Sequence, residues 1–144
     1  MKRAAIFKFD DRYIIHTDST TRDGYGIATD PYITISAGSA IKEVTKSLLF
    51  AMEASKTDVV PPSSDVFLKQ HLKFMGLKNH KELYNNSISC SIYEKDNKIV
   101  FLPSINLGLS GGFKHRIDKK LEISSNASEE VISNTLVEAL NRCE

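Results

Sequence analysis

The sequence predicts an α+β fold in which antiparallel β-meanders are covered by helices, arranged as two similar meander-plus-helix halves. Three observations carry that reading. Residues 5–36 alternate apolar and polar side chains between short polar breaks, which is the two-residue period of strands joined by tight connections. Near residue 40 the period lengthens to that of a helix. From residue 88 onward the same order, strands and then a helix, comes round again. The connections between strands are too short for parallel crossovers, so the strands pair antiparallel and the helices pack on the sheet.

Each element has a local reason. Ala5, Phe7 and Phe9 place one apolar side chain in two on the buried face of a first strand. Asp10-Asp11 breaks it, and Arg12 to Thr17 returns. Residues 18–23 are a polar turn cluster, Gly24 to Thr29 a third strand, Asp30-Pro31 a further turn, and Tyr32 to Ser36 a fourth strand with Ile33 and Ile35 on one face. Ile41, Val44, Leu48 and Met52 then recur at helical spacing after Gly38-Ser39, giving an amphipathic helix over 40–55. Lys56 to Ser64, with Pro61-Pro62, is a linker. A second helix runs from Asp65 to Met75 with Leu68, Leu72 and Met75 on one face, closed by Gly76. A short helical turn is placed around 79–84. Ile88, Cys90 and Ile92 alternate with serines as a half-buried strand, and Lys95 to Lys98 turns the chain into a partner strand over Ile99 to Pro103. Residues 104–118 hold an irregular strand, and Lys119 to Ser124 a last one. Ser128 caps a terminal helix that carries Val131 or Ile132, Leu136 and Leu140, with Glu129 and Glu130 at its positive end.

Composition bounds the function classes. The 144 residues form one domain, 1–144, long enough to bury roughly 70% of the surface an unfolded chain exposes. Lys and Arg number 19 against 18 for Asp and Glu, a net charge of +1 that lacks the basic excess on which phosphate binding draws. The apolar start, Met1 to Lys8, is interrupted too early for a signal peptide, and no stretch approaches the ~20 apolar residues that span a bilayer. The expected location is the cytoplasm, with no membrane partner. Cys90 and Cys143 stand far apart in sequence without a C-x-x-C, which reads as two reduced, inert thiols.

No reactive motif assembles. His16, His71, His80 and His115 show no metal-ligand spacing, so they read as scattered imidazoles. Gly108-Leu109-Ser110-Gly111-Gly112 matches the five-letter pattern of a nucleophile elbow, but without the strand before it and the helix after it that the elbow requires. It reads as a loop needing positive φ. No cofactor motif is present, and the chain is expected not to be an enzyme. Two charge features remain. Asp10, Asp11, Asp18, Asp23 and Asp30 all fall in turns of the first meander, where Asp bonds its own backbone. Lys114 to Lys120 is a basic run with the character of a lysine-protected edge strand. A single-stranded nucleic-acid-binding module, stacking bases on Phe7, Phe9 and Tyr13 beside that basic run, is the alternative.

Several segments resemble immunity proteins of bacterial contact-dependent growth inhibition (CDI) systems. They are the helix end Ala51 to Thr57 with the Pro-containing turn after it, the stretch Leu72 to Leu83, the serine-alternating strand Ser87 to Tyr93, Gly112-Phe113, and the capped terminal helix. The resemblance implies a cytosolic antitoxin that binds the C-terminal toxin domain of a cell-surface delivery protein. The implied toxin is a nuclease, with an RNase as first choice. It also implies a Whirly-like architecture of two meander-plus-helix halves. No catalytic residue comes with the resemblance. Asp10, Asp11, Asp18, Asp23 and Asp30 are the expected toxin-binding residues, since complementary charge would guide them to a nuclease's basic groove.

Overall fold

The computed structural model describes residues 1–144. Seven strands form one sheet in which every ladder is antiparallel. The first meander is β1 (Lys2–Lys8), β2 (Arg12–Thr20) and β3 (Gly26–Ser36), followed by α1 (Ile41–Glu53). Then come α2 (Ser64–Met75) and the single turn α3 (His80–Leu83). The second meander is β4 (Ile88–Lys95) and β5 (Lys98–Asn106), with β6 (Phe113–His115) and β7 (Leu121–Ser124) sharing the outer edge of β5, and α4 (Glu129–Asn141) closes the chain. The halves join along β1 and β4, giving the order β3-β2-β1-β4-β5 across the sheet. The meander-helix, meander-helix arrangement read from the sequence is present.

The central strands are buried on both faces. Ala4 and Ile6 of β1 face one cluster, while Ala5 and Phe7 face another. Tyr13 and Ile15 of β2 join the first and Ile14 joins the second. The expectation of a single buried face on β1 is therefore corrected: helices lie on both sides. On one side α1 and α4 pack together over the sheet, with Val44, Leu48, Ala51 and Met52 from α1 and Ile132, Leu136, Ala139 and Leu140 from α4. Two buried hydrogen bonds from hydroxyls lock this layer. Thr45 Oγ1 and Ser133 Oγ lie 2.7 Å apart between the helices, and Thr17 Oγ1 of β2 donates to the Ala51 carbonyl at 2.6 Å. On the other side Met75, Leu77 and Leu83, from the end of α2 through α3, cover Ala5, Phe7, Phe9 and Ile14.

The first meander differs from expectation in two places. Residues 18–20 extend β2 instead of turning, so Asp18 is a strand residue and the turn lies at residues 21–25. Asp30-Pro31 is no turn either. His16 pairs with Tyr32 while Thr17 pairs with Thr29, leaving residues 30 and 31 as a bulge inside one long β3. Proline has no N–H to give to β2, so the ladder accommodates it by pushing it out. At Gly26, opposite Thr20, a Cβ would sit 2.8 Å from Arg3 Nη2, so the guanidinium, which donates to the Ser19 carbonyl at 2.9 Å, would have to shift.

Later elements follow their local chemistry. Gly76 ends α2 with φ +73°, Asn79 Oδ1 caps α3 by accepting from Glu82 N–H at 3.0 Å, and Ser128 Oγ caps α4 by accepting from Val131 N–H at 3.2 Å. Gly108 and Gly112 have positive φ, as the loop reading of that segment requires. The last strand begins at Leu121, because residues 117–119 form a 3-10 turn.

Leu48 and Phe101 are fully buried between α1, α4 and the sheet. Truncating either to alanine removes apolar contact and leaves a cavity, with an expected cost of about 3–5 kcal/mol. Urea denaturation should show that loss as a lower midpoint at unchanged slope, a large share of the ~5–15 kcal/mol that holds such a domain together.

Candidate interaction site

The α2 side of the sheet is held by rings more than by aliphatic packing. Only Met75 of α2 is fully buried. Leu68, expected on the inner face, is 40% exposed, because the line Phe67, His71, Met75 at four-residue spacing turns inward and leaves Leu68 on the flank. Phe67 stacks on His71 with centroids 5.4 Å apart and planes within 13°. His71 meets His16 of β2 edge-on at 5.3 Å, and His16 in turn lies 5.6 Å from Phe7 and 5.4 Å from Tyr32. Phe7 continues to Phe113 and Tyr84. This ladder of rings docks α2 and α3 on the sheet.

At its centre two histidines that the sequence leaves scattered are brought together. Burial, and then the neighbouring His16, push the His71 imidazole down to about 4, so it is neutral at pH 7. Tyr32 Oη lies 2.7 Å from His71 Nδ1, and with the imidazole neutral the phenol donates and Nδ1 accepts. Burial, followed by the charges of Asp18 and Asp30, holds the Tyr32 phenol above its usual range, so it stays protonated. His16 Nδ1 donates to the Thr17 carbonyl at 3.1 Å and lies 3.3 Å from Asp18 Oδ1. The phenol-to-imidazole hydrogen bond pins α2 to β3.

Beyond the rings α2 stands away from the sheet and leaves a cleft of about 170 Å³ against β3. Ile27, Tyr32, Val59, Phe67 and Phe74 supply its apolar lining and Asp30 and Gln70 its polar one. Apolar side chains around it lie open to solvent: Phe74 is 55% exposed and Val60 67%. β3 is the edge of the sheet and contains no fully buried residue. Asp30 lines the cleft, Asp65 opens α2, Asp58 adjoins Val59, and Asp23 lies in the β2–β3 turn, whose Arg22 N–H donates to the Val59 carbonyl at 3.1 Å. None of these four carboxylates forms an ion pair.

The five aspartates singled out from sequence divide. Asp18 and Asp30 sit at or beneath the cleft, and Asp23 lies at the adjoining end. Asp10 and Asp11 are at the β1–β2 turn, five to seven residues along β2 from Asp30 and Asp18, roughly 20 Å away. Asp11 is also tied to Arg12 at 2.8 Å. Sequence reasoning missed Phe67, His71 and Phe74; their spacing of four and three along α2 is the signal that could have found them.

The base-stacking alternative loses its aromatics, since Phe7, Phe9 and Tyr13 are all buried in the core. Two of the four Lys and Arg side chains in its basic run are paired with acids, and Lys114 and Lys119 are not. Arg116 pairs with Asp118 and Glu144, and Lys120 pairs with Glu122. Ser110 lies in the exposed turn before β6, away from every histidine hydrogen bond. No helix is long and apolar enough to cross a membrane.

A family model described as CdiI, CDI immunity protein, matches residues 2–143. Among curated protein sequences nothing matches the chain. Two solved structures share the fold. A protein of unknown function from Neisseria meningitidis superposes with a TM-score of 0.79 at 18% identity, covering 99% of this chain and 95% of that one. A CdiA-CT/CdiI toxin and immunity complex from Yersinia pseudotuberculosis does so with 0.79 at 16% identity, covering 99% and 97%.

The depressed His71 sets a pH dependence. Its unfolded value lies near 6.5 and its folded value near 4, so between them the unfolded chain binds more protons. The stabilisation from neutral His71 is thus complete above about pH 6.5 and declines as pH falls toward 4. The urea midpoint should drop between pH 7 and pH 5, and His71→Gln should flatten that drop. An equal drop in the variant would assign it to other groups.

Proposed function

The chain belongs to the CDI immunity protein family, and from that premise we propose that it is a cytoplasmic antitoxin, residues 1–144 acting as one domain. It binds the cognate C-terminal toxin domain of a contact-dependent growth inhibition system and works by occupation, not by turnover. The observation that carries this reading is the cleft between α2 and β3. It combines exposed aromatic and aliphatic side chains, an open strand edge and unpaired carboxylates in one place. Isolated exposed apolar residues need no explanation, but a group of them around a concave site marks a protein-binding surface. An unpaired edge strand adds backbone donors and acceptors that another chain can use. The Yersinia structure of the same fold is itself a toxin and immunity complex, which supports the reading.

Asp18, Asp23 and Asp30 belong to this docking face, joined by Asp58 and Asp65. Their charge suits a partner whose own site is basic, as a nuclease groove is, and an RNase remains the first choice. Asp10 and Asp11, at the far end of β2, are proposed as a lesser contact reached by the edge of the toxin.

The experiment is co-expression with the toxin domain encoded beside this gene. Restored growth and a one-to-one complex on a sizing column are expected, with about 1,200–2,000 Å² buried. A toxin that still kills, with no complex formed, contradicts the proposal. RNA and DNA integrity in unprotected cells then identifies the toxin's chemistry. Within the complex, Phe74→Ala should weaken binding by about ten- to thirtyfold while leaving folding intact, because Phe74 is an exposed aromatic at the centre of the cleft. Phe50→Ala is the matched control: Phe50 is 64% exposed on α1, across the sheet, and its loss should leave binding unchanged.

A further inference from the structure

The fold brings Cys90 and Cys143, distant in sequence, to one place. Cys90 is on β4 with its side chain fully buried under α4. Cys143 follows the end of α4 and packs against the same cluster. Its position is held by backbone on both sides. Cys143 N–H donates to the Leu140 carbonyl at 3.2 Å, Glu144 N–H to Ser104 O at 3.0 Å, and Asn106 N–H to Glu144 O at 2.7 Å, so the tail is laced onto β5. The Cys143 thiol donates to the carbonyl of Ser89, the residue before Cys90, at 3.2 Å, and Cys143 packs against the core cluster that contains Cys90.

We infer that Cys143 and Cys90 are a peroxide-responsive thiol pair that closes to an intramolecular disulfide, a modification site across the sheet from the docking cleft. The pair is asymmetric in the way such chemistry requires. Cys143 is half-buried and within reach of a small oxidant, while Cys90 is sealed in the core. The neighbouring Cys90 and then the Ser104 backbone hold the Cys143 thiol below its ordinary range against the effect of burial. Its neighbour Cys143, together with burial, holds the Cys90 thiol up. Cys143, the sulfur that an oxidant can reach, reacts first. Its thiolate attacks hydrogen peroxide: an S–O bond forms, the O–O bond breaks, and the hydroxide released takes a proton and leaves as water. The Cys90 sulfur then attacks the sulfenic sulfur. The S–S bond forms, the S–O bond breaks, and the departing hydroxide takes the Cys90 proton as a second water. Two thiols lose two electrons in all, and one peroxide becomes two waters. The product staples the end of α4 and the laced tail to β4, the strand that joins the two halves.

The test is hydrogen peroxide treatment of the full-length protein, followed by alkylation in denaturant and intact-mass measurement. The inference expects a monomer lighter by two hydrogen atoms, with both thiols blocked and both restored by dithiothreitol. Cys90→Ser should instead accumulate oxygen on Cys143, and Cys143→Ser should leave Cys90 reduced. Wild-type protein that gains oxygen on Cys143 with Cys90 still alkylated, links into dimers, or stays fully reduced overturns it. The wild-type result decides alone, so a variant that folds poorly does not blur the outcome.

Discussion

Strands β1 and β2 carry apolar side chains on both of their faces, and every other part of the molecule answers to that. A strand with one apolar face needs one layer of helices. Ala4, Ala5, Ile6 and Phe7 in succession need two. The chain supplies the first layer generously, with α1 and α4 meeting over the sheet and tied by Thr45 and Ser133. It supplies the second sparingly, through one end of α2, the short α3 and the loop between them. The resulting structure is closed on one side and partly open on the other.

That asymmetry connects packing to function. Where α2 leaves the sheet, the contacts that retain it are aromatic and imidazole rings and one phenol-to-imidazole hydrogen bond, and its outward aromatic side chains stay wet. A partner that covers the cleft would finish the burial that the fold leaves undone, which is how exposed apolar surface becomes binding free energy. Net charge conceals the electrostatic side of this. The whole chain carries +1, yet four carboxylates without ion pairs gather around one end of one cleft. The cations of the same segments, Arg22, Lys56, Lys69 and Lys73, form no ion pairs either, so individual carboxylates, and not a net acidic face, are what a partner meets there. In the basic run of the second half, Arg116 and Lys120 are paired with acids.

The architecture was largely legible because its signals are periodic. Ile41, Val44, Leu48 and Met52 announce α1, and the serine alternation from residue 87 announces β4. The errors lie where a local turn preference met a stronger pairing. Asp30-Pro31 has turn chemistry, but the flanking residues of β3 pair with β2 on either side, and the ladder absorbs the interruption as a bulge. Asp18 looked like part of a polar turn and is a strand residue beside His16. Proximity across the sequence was not legible at all. Nothing local ties His16 to His71 or Cys90 to Cys143; each pair exists only because β2 and α2, or β4 and α4, are stacked by the fold. The cleft could be seen in outline from Phe67, His71 and Phe74 on one side of α2, but its other wall, β3, required the topology.

Amide hydrogen exchange of the protein alone and bound to its toxin tests the central claim most directly, since it reads backbone coverage residue by residue without a substitution. The account expects new protection concentrated in β3, residues 26–36, and in α2, residues 64–75, with α1 and α4 unchanged. Protection confined to α1 and α4, with α2 exchanging as freely in the complex as in the free protein, would contradict it.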